Sequence, residues 1–219
     1  YDLLEEHRLW IVGEVNLRIR HNLLALPGVS IGEIRVVESH PQALGQCRHF
    51  IRENLGEARV VPTYDTAGAA RAVAEAGDRS VAAIASRRAG TEYGLECVAE
   101  GIESNHQNYT RFLALARSPD SVSQPTDAGR SYKTSIVYAM RDNVPGALFK
   151  SLAVFALREI DLYKIESRPL VGSPGQYLFY LDFAGHAADE RVQRAVSHLE
   201  EVAAYVKLLG SYEPGEVVD

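Results

Sequence analysis

Three times in the first 117 residues, a short apolar run ends in a small polar residue and gives way to a helical pattern. Ile34–Val37 leads to Ser39, Val60-Val61 leads to Asp65-Thr66, and Val81–Ala85 leads to Ser86. A strand followed by a helix returns to its sheet by a crossover, and crossovers produce parallel neighbours. The alternation therefore predicts an α/β domain with a mainly parallel sheet. Ile11–Ala25 reads as extended, with Val15, Leu17 and Ile19 alternating with Asn16, Arg18 and Arg20. One helix is expected to carry Leu44, Cys47, Ile51 and Leu55 on a single face, with Ser39 and Gln42 at capping-box spacing. An alanine-rich helix is expected from Thr66 to about Ala76, and a shorter one up to Gly94. Cys97–Glu100 and Arg111–Ala116 read as further strands.

Residues 118–130 are polar and rich in turn formers, which predicts a linker. Residues 131–219 then read as a second unit. Thr134–Met140 is a strand, and the turn Asp142-Asn143-Val144-Pro145-Gly146 starts a helix burying Leu148, Leu152 and Phe155. Leu162–Arg168 is a strand, Gly172-Ser173-Pro174-Gly175 a turn, and Tyr177–Phe183 another strand. Asp189–Ala203 is an amphipathic helix, and Val206–Tyr212 closes the unit. This order, βαββαβ, is the ferredoxin-like split unit.

A chain of 219 residues supports two cores. The net charge of −6 argues against a nucleic-acid backbone as the main partner. It leaves a small anion open, because local arginines and helix starts decide that. No apolar run approaches the ~20 residues that span a bilayer. Cys47 and Cys97 are too few for a disulfide framework or a zinc site, and both read as buried free thiols. The histidines lack metal-ligand spacing, and neither metal nor cofactor is expected. The chain begins at Tyr1 and its only methionine is Met140, so further sequence of the same fold is expected upstream.

Strand ends at Ser39, Asp65 and Ser86 are where α/β sheets collect ligands, although Ser or Asp there also simply caps a helix. Arg111 suits a carboxylate and Thr110 a ligand hydroxyl, or the pair merely opens a strand. His40 fits either a ligand contact or an exposed first helical turn. Glu92, Glu96, Glu100 and Glu103 read as solvated, and His21 as structural.

Taken together, the motifs carry a specific resemblance. Asn108-Tyr109-Thr110-Arg111-Phe112 resembles the Asn-x-Thr-Arg-Phe motif of the prephenate and arogenate dehydratases, and Ser39–Cys47 resembles that family's Ser-His-Pro-Gln-Ala-Leu-x-Gln-Cys segment. Asp65–Ala70 and Ala82–Ser86 are similar to family segments in the same order. Gly146–Phe149 and Glu166-Ser167-Arg168-Pro169 resemble the two motifs of the attached ACT domain. The likeness covers residues 1 to about 212.

The resemblance implies a two-lobed catalytic domain, like a periplasmic binding protein, of which residues 1–117 form part, including hinge strands near 14–25 and 110–117. An ACT domain over 131–219 follows. It implies a cytoplasmic lyase, or a plastid-stroma one in a photosynthetic eukaryote, that removes carbon dioxide and hydroxide from prephenate. Thr110, Arg111 and Phe112 would be catalytic, and Ser39, His40, Gln42, Ser86 and Asn108 would bind substrate. L-phenylalanine would act as effector at Gly146, Ala147, Leu148, Glu166 and Ser167, in a homodimer or homotetramer built through the ACT domain. Arogenate is the alternative substrate, with the choice expected to lie near Ala89–Tyr93. A non-catalytic amino-acid-binding module is the alternative from another class.

Overall fold

The computed structural model describes residues 3–4, 7–118, 131–170, 172 and 175–218. Near the chain start Leu3 and Leu4 are helical. The linker, beyond Ser118, and the centre of the turn at 172–175 lie outside the described residues. By contacts the chain divides into two compact units, one of residues 1–16 with 111–218, the other of residues 17–110.

The 17–110 unit is an α/β layer structure. It contains β2 (Asn22–Ala25), β3 (Val36–Ser39), α1 (Pro41–Gln46), α2 (Arg48–Asn54) and β4 (Arg59–Pro62), then α3 (Thr66–Ala76), β5 (Val81–Ala85), α4 (Arg87–Tyr93) and β6 (Glu96–Ala99). The sheet order is β4-β3-β5-β2-β6. β3 runs parallel to β4 and β5, as expected. β2 is antiparallel to both β5 and β6, so the sheet is mixed rather than mainly parallel. The physical reason is local: α4 carries the chain from β5 to β6 in the same direction, whereas no helix separates β1 from β2, and β2 slots between β5 and β6 in the opposite direction. Period-2 alternation then sorts the side chains. Leu23, Ala25, Ala82 and Ile84 pack beneath α1 and α2, while Leu24, Ala83 and Ala85 meet Ala69, Ala70 and Val73 of α3.

Two expectations need correction. Ile11–Ala25 is not one strand: it breaks between β1 (Trp10–Arg18) and β2, which belong to different sheets. The helix after β3 is two, broken at Cys47, although Leu44, Cys47, Ile51 and Leu55 remain buried in one cluster. Its cap is also shifted. Ser39 stays in β3, and His40 is the N-cap, its Nδ1 accepting from the Gln42 N–H at 3.2 Å. The capping box lies instead at Ser30 and Glu33.

The other unit contains β7 (Tyr109–Ala116, from Arg111), β8 (Lys133–Met140), α5 (Ala147–Ala156), β9 (Leu162–Pro169), β10 (Tyr177–Ala184), α6 (Glu190–Val202), β11 (Ala203–Tyr212) and β12 (Val217–Val218). The antiparallel order β11-β8-β10-β9 is the ferredoxin-like arrangement expected from βαββαβ. One face of this sheet packs Ile136, Tyr138, Leu181 and Phe183 against Phe155 of α5 and Leu199 of α6. The opposite face buries Val137, Tyr180 and Leu209 against Leu4, Ile11 and Leu113, residues from the chain start and from β7. A small sheet, β12-β1-β7, carries that cover. Gly210 of β11 lies so close to β1 that an added Cβ would meet the Ile11 carbonyl oxygen at 2.0 Å. No helix of the described residues is long and apolar enough to cross a membrane.

Candidate functional site

The 17–110 unit holds a cavity of about 890 Å³. Its wall includes Arg18, Arg20, Arg87, Arg88, Asn22, Ser86 and Glu100. Four guanidinium groups and one carboxylate stand on this wall, and Glu100 and Arg87 bond each other. The sequence places these groups from two directions. Arg18 and Arg20 come from the alternating end of β1 and its exit, while Ser86, Arg87 and Arg88 start α4 at the carboxyl end of β5. Ser86 caps that helix, its Oγ accepting from the Ala89 N–H at 3.2 Å. Sequence reasoning named Ser86 but missed the arginines. Their signal was the Arg18-x-Arg20 alternation, read only as a strand face.

The remaining substrate-binding candidates are distributed differently. Ser39 is fully buried, and its Oγ donates to the Ile84 carbonyl at 2.5 Å, tying β3 to β5. His40 is engaged as the N-cap of α1, and Gln42 is exposed in its first turn. Asn108 donates from Nδ2 to Gln46 Oε1 at 3.1 Å, and His21 Nε2 lies 2.6 Å from the same oxygen. Gln46 Oε1 can only accept, so His21 Nε2 is the donor in this contact. Glu103, read as solvated, is buried instead: Oε2 accepts from the His21 backbone N–H at 2.9 Å. Gln46 and Glu103 thus hold the stretch before β7, and Ile19 N–H donates to the Asn108 carbonyl at 2.8 Å. Thr110 follows, with its side chain exposed.

Arg111, the next residue, is committed to protein groups. Nε donates to Glu14 Oε2, Nη1 to Asp182 Oδ2 and Nη2 to the Tyr212 hydroxyl, each at 2.5 Å. Glu14 Oε1 also accepts from Lys133 Nζ at 2.5 Å and from the Gly215 N–H at 2.9 Å. Burial pushes the Glu14 carboxyl up, but the Lys133 and Gly215 hydrogen bonds and the positive charges of Arg111 and Lys133 outweigh it and hold the pKa below 4.5. Two carboxylates balance two cations, which is the condition for keeping charges out of water. Phe112 is exposed.

The ferredoxin-like unit has its own cavity, of about 250 Å³. Gly146, Ala147 and Leu148 line it, together with Phe149, Tyr177 and Phe179. Gly146 is the α5 N-cap in a left-handed conformation, φ 84°, which glycine adopts without a Cβ penalty. Glu166 and Ser167 lie on β9 opposite Tyr180 and Phe179 and are not among the lining residues. Glu166 bonds Lys164 at 2.9 Å and Arg168 at 3.1 Å. These bonds lower its pKa, Lys164 contributing most.

Comparison with known proteins gives a consistent picture. A family model described as prephenate dehydratase matches residues 1–120. The Arabidopsis thaliana protein named arogenate dehydratase/prephenate dehydratase 1, chloroplastic, is 48% identical over 226 residues, covering 97% of this chain and 56% of that protein. A crystal structure of prephenate dehydratase in complex with L-Phe from Arthrobacter aurescens superposes with a TM-score of 0.83 at 35% identity, covering 94% of this chain and 67% of that one. A structure described as a novel type of quorum quenching acylase, GqqA, gives a TM-score of 0.82 at 34% identity, covering 97% of this chain and 75% of that one. The chain spans about half the length of the curated relatives it matches.

Proposed function

Because the chain belongs to the prephenate dehydratase family, we propose that it works in the decarboxylating dehydration of prephenate to phenylpyruvate, on the route to L-phenylalanine. The observation that carries this reading is the arginine-lined cavity with Ser86 on its wall. Prephenate is a dianion, and a cavity lined by guanidinium groups offers both opposite charge and paired hydrogen bonds to a carboxylate. The reaction expels carbon dioxide and hydroxide, and the hydroxide leaves as water once a proton reaches it. Aromatisation drives it, so the protein needs to orient the dianion and to polarise the leaving hydroxyl. We assign that polarising hydroxyl to Thr110, exposed at the start of β7 and preceded by the bonded pair Asn108 and Gln46. A positioned hydrogen-bond donor of this kind typically contributes about 10²–10⁴-fold. Phe112 is assigned to the wall around the ring.

Arogenate, with an amine where prephenate has a keto group, is the second reading, favoured by the Arabidopsis relative whose name carries both activities. In the ferredoxin-like unit we assign an ACT-type effector role to the pocket at Gly146–Leu148, with L-phenylalanine as ligand. The Arthrobacter complex supports that choice of ligand. β9 is the open edge of its sheet and exposes Tyr163 and Ile165, which supports pairing of two copies there. We place the protein in the cytoplasm, or in the plastid stroma of a photosynthetic eukaryote.

The deciding experiment assays the full-length protein with prephenate and with arogenate, with and without L-phenylalanine. Aromatic product from either substrate, lost in Thr110→Ala with the fold intact, is the expected result. Acylase activity without dehydration overturns the reading, and full turnover by Thr110→Ala removes the role assigned to Thr110.

A further inference from the structure

Arg111 sits in a closed ring of hydrogen bonds. Its Nη1 donates to Asp182 Oδ2, and its Nη2 donates to the Tyr212 hydroxyl, each at 2.5 Å. Ser135 Oγ lies 2.5 Å from Asp182 Oδ1 and 2.6 Å from the Tyr212 hydroxyl. The ionised Asp182 only accepts, so Ser135 donates to it. Tyr212 in turn donates to Ser135 while accepting from Arg111. Every proton in the ring then has one place: Arg111 donates to Tyr212, Tyr212 to Ser135 and Ser135 to Asp182, which also accepts directly from Arg111. The third edge of the guanidinium, Nε, is held by Glu14. Ser135 on β8 lies opposite Asp182 on β10, and Tyr212 on β11 lies two residues beyond Gly210, the β11 partner of Ser135; these are the central strands and one edge of the ferredoxin-like sheet.

A planar guanidinium gripped on three edges cannot rotate without breaking several charge-assisted bonds at once. Through that side chain, β7 is tethered at Arg111 to the ferredoxin-like sheet. The compact unit containing this ring begins, on β7, at Arg111, and the residue before it is Thr110. Resting on the functional reading above, we propose that Arg111 is a positioning residue: it does not grip substrate but pins the β7 backbone to the ferredoxin-like sheet, and so sets the place of the Thr110 hydroxyl. Asp182 and Tyr212 then serve the reaction although neither touches the substrate.

The test uses the full-length enzyme and the substrate that the unaltered protein turns over. Asp182→Asn removes the charge from the ring, Tyr212→Phe removes one hydroxyl, and Arg111→Lys removes the fork. Misplacing a reacting group by a fraction of an ångström is expected to cost kcat about tenfold or more, with KM within about twofold. Tyr212→Phe, the mildest change, decides the matter if Asp182→Asn fails to fold. The double variant Arg111→Lys/Asp182→Asn is expected to lose no more than the worse single variant, because both break one ring. Partial recovery of kcat in Asp182→Glu separates positioning from a loss of stability, which would lower Tm while leaving turnover per folded molecule intact. If Arg111→Lys raises KM while Asp182→Asn and Tyr212→Phe turn over normally, Arg111 holds substrate and the inference is wrong. An unaltered protein inactive on both substrates removes the functional reading, and this inference with it.

Discussion

The Arg111 guanidinium and the Glu14 carboxylate meet at 2.5 Å, with the Glu14 side chain wholly inside the protein. Ninety-seven residues separate them, so the pair fastens the first strand of the chain to β7. Removing one member of a buried pair leaves the other charge without a partner, typically at a cost of about 3–5 kcal/mol. Glu14→Gln is therefore expected to destabilise the 1–16/111–218 unit on that scale in urea unfolding at neutral pH. A change within experimental error would mean that the charge is solvated.

The same carboxylate gives the stability of this unit a pH dependence. Its pKa in the folded protein lies below the ordinary 4.5, so the unfolded chain takes up the proton first. The contribution is complete at pH values above 4.5 and is lost as pH falls through the lower folded value. Unfolding free energy measured from neutral to acid pH is expected to fall in that window, and to fall less steeply in Glu14→Gln. Equal slopes in the two proteins would contradict this.

Cys47 and Cys97 should separate in a thiol-labelling experiment. Burial, with a smaller effect from Glu103, pushes the Cys47 thiol up to about 12, and the residue has no exposed surface. At pH 8 its thiolate fraction is about one in 10⁴. Cys97 is only half-buried, and burial raises its pKa as well. Iodoacetamide on the folded protein, followed by mass spectrometry, is expected to modify Cys97 first and Cys47 only after unfolding. Early labelling of Cys47 would show that its helix junction opens.

Local pattern made the elements legible, and long-range pairing did not. The runs at Ile34–Val37 and Val81–Ala85 marked true strands, and Asp65 and Ser86 do cap helices, because those signals act within a few residues. The reversed direction of β2 left no such trace, since the sheet order depends on partners about 60 residues away. The fate of Arg111 was hidden for the same reason. Beside Thr110 it reads as a ligand-gripping group, and only the fold brings Glu14, Asp182 and Tyr212 to its three edges. Glu103 was misread because a carboxylate among polar neighbours looks solvated until a buried backbone N–H is found to need it.

Two glycines predict opposite outcomes for one substitution. Gly45 lies in α1 with open space where a Cβ would point, so Gly45→Ala is expected to stabilise the protein by about 0.5–1 kcal/mol. Gly210 faces the Ile11 carbonyl oxygen, and a Cβ there would meet it at 2.0 Å. Overpacking costs about 1–3 kcal/mol when side chains can give way. Here the neighbour is backbone, so Gly210→Ala should cost at least that. Urea midpoints for the two variants are expected to move in opposite directions. A tolerated Gly210→Ala would show that β11 does not press on β1.

Gly146 tests the effector pocket separately from the catalytic assignment. Its φ of 84° is a conformation in which an L side chain costs about 1–2 kcal/mol, although no atom stands within 4 Å of the Cβ position. Gly146→Ala therefore strains the first turn of α5 without a steric clash, and it alters the wall of the pocket that Ala147 and Leu148 share. Calorimetry with L-phenylalanine on the full-length protein is expected to show affinity reduced about tenfold, which corresponds to about 1.4 kcal/mol of interaction lost at the altered wall. Dehydratase turnover without effector should stay near that of the unaltered protein, because Gly146 belongs to neither the arginine-lined cavity nor the start of β7. Unchanged affinity would move the effector away from this pocket. Turnover lost along with affinity would mean instead that the α5 turn supports the ring holding Arg111.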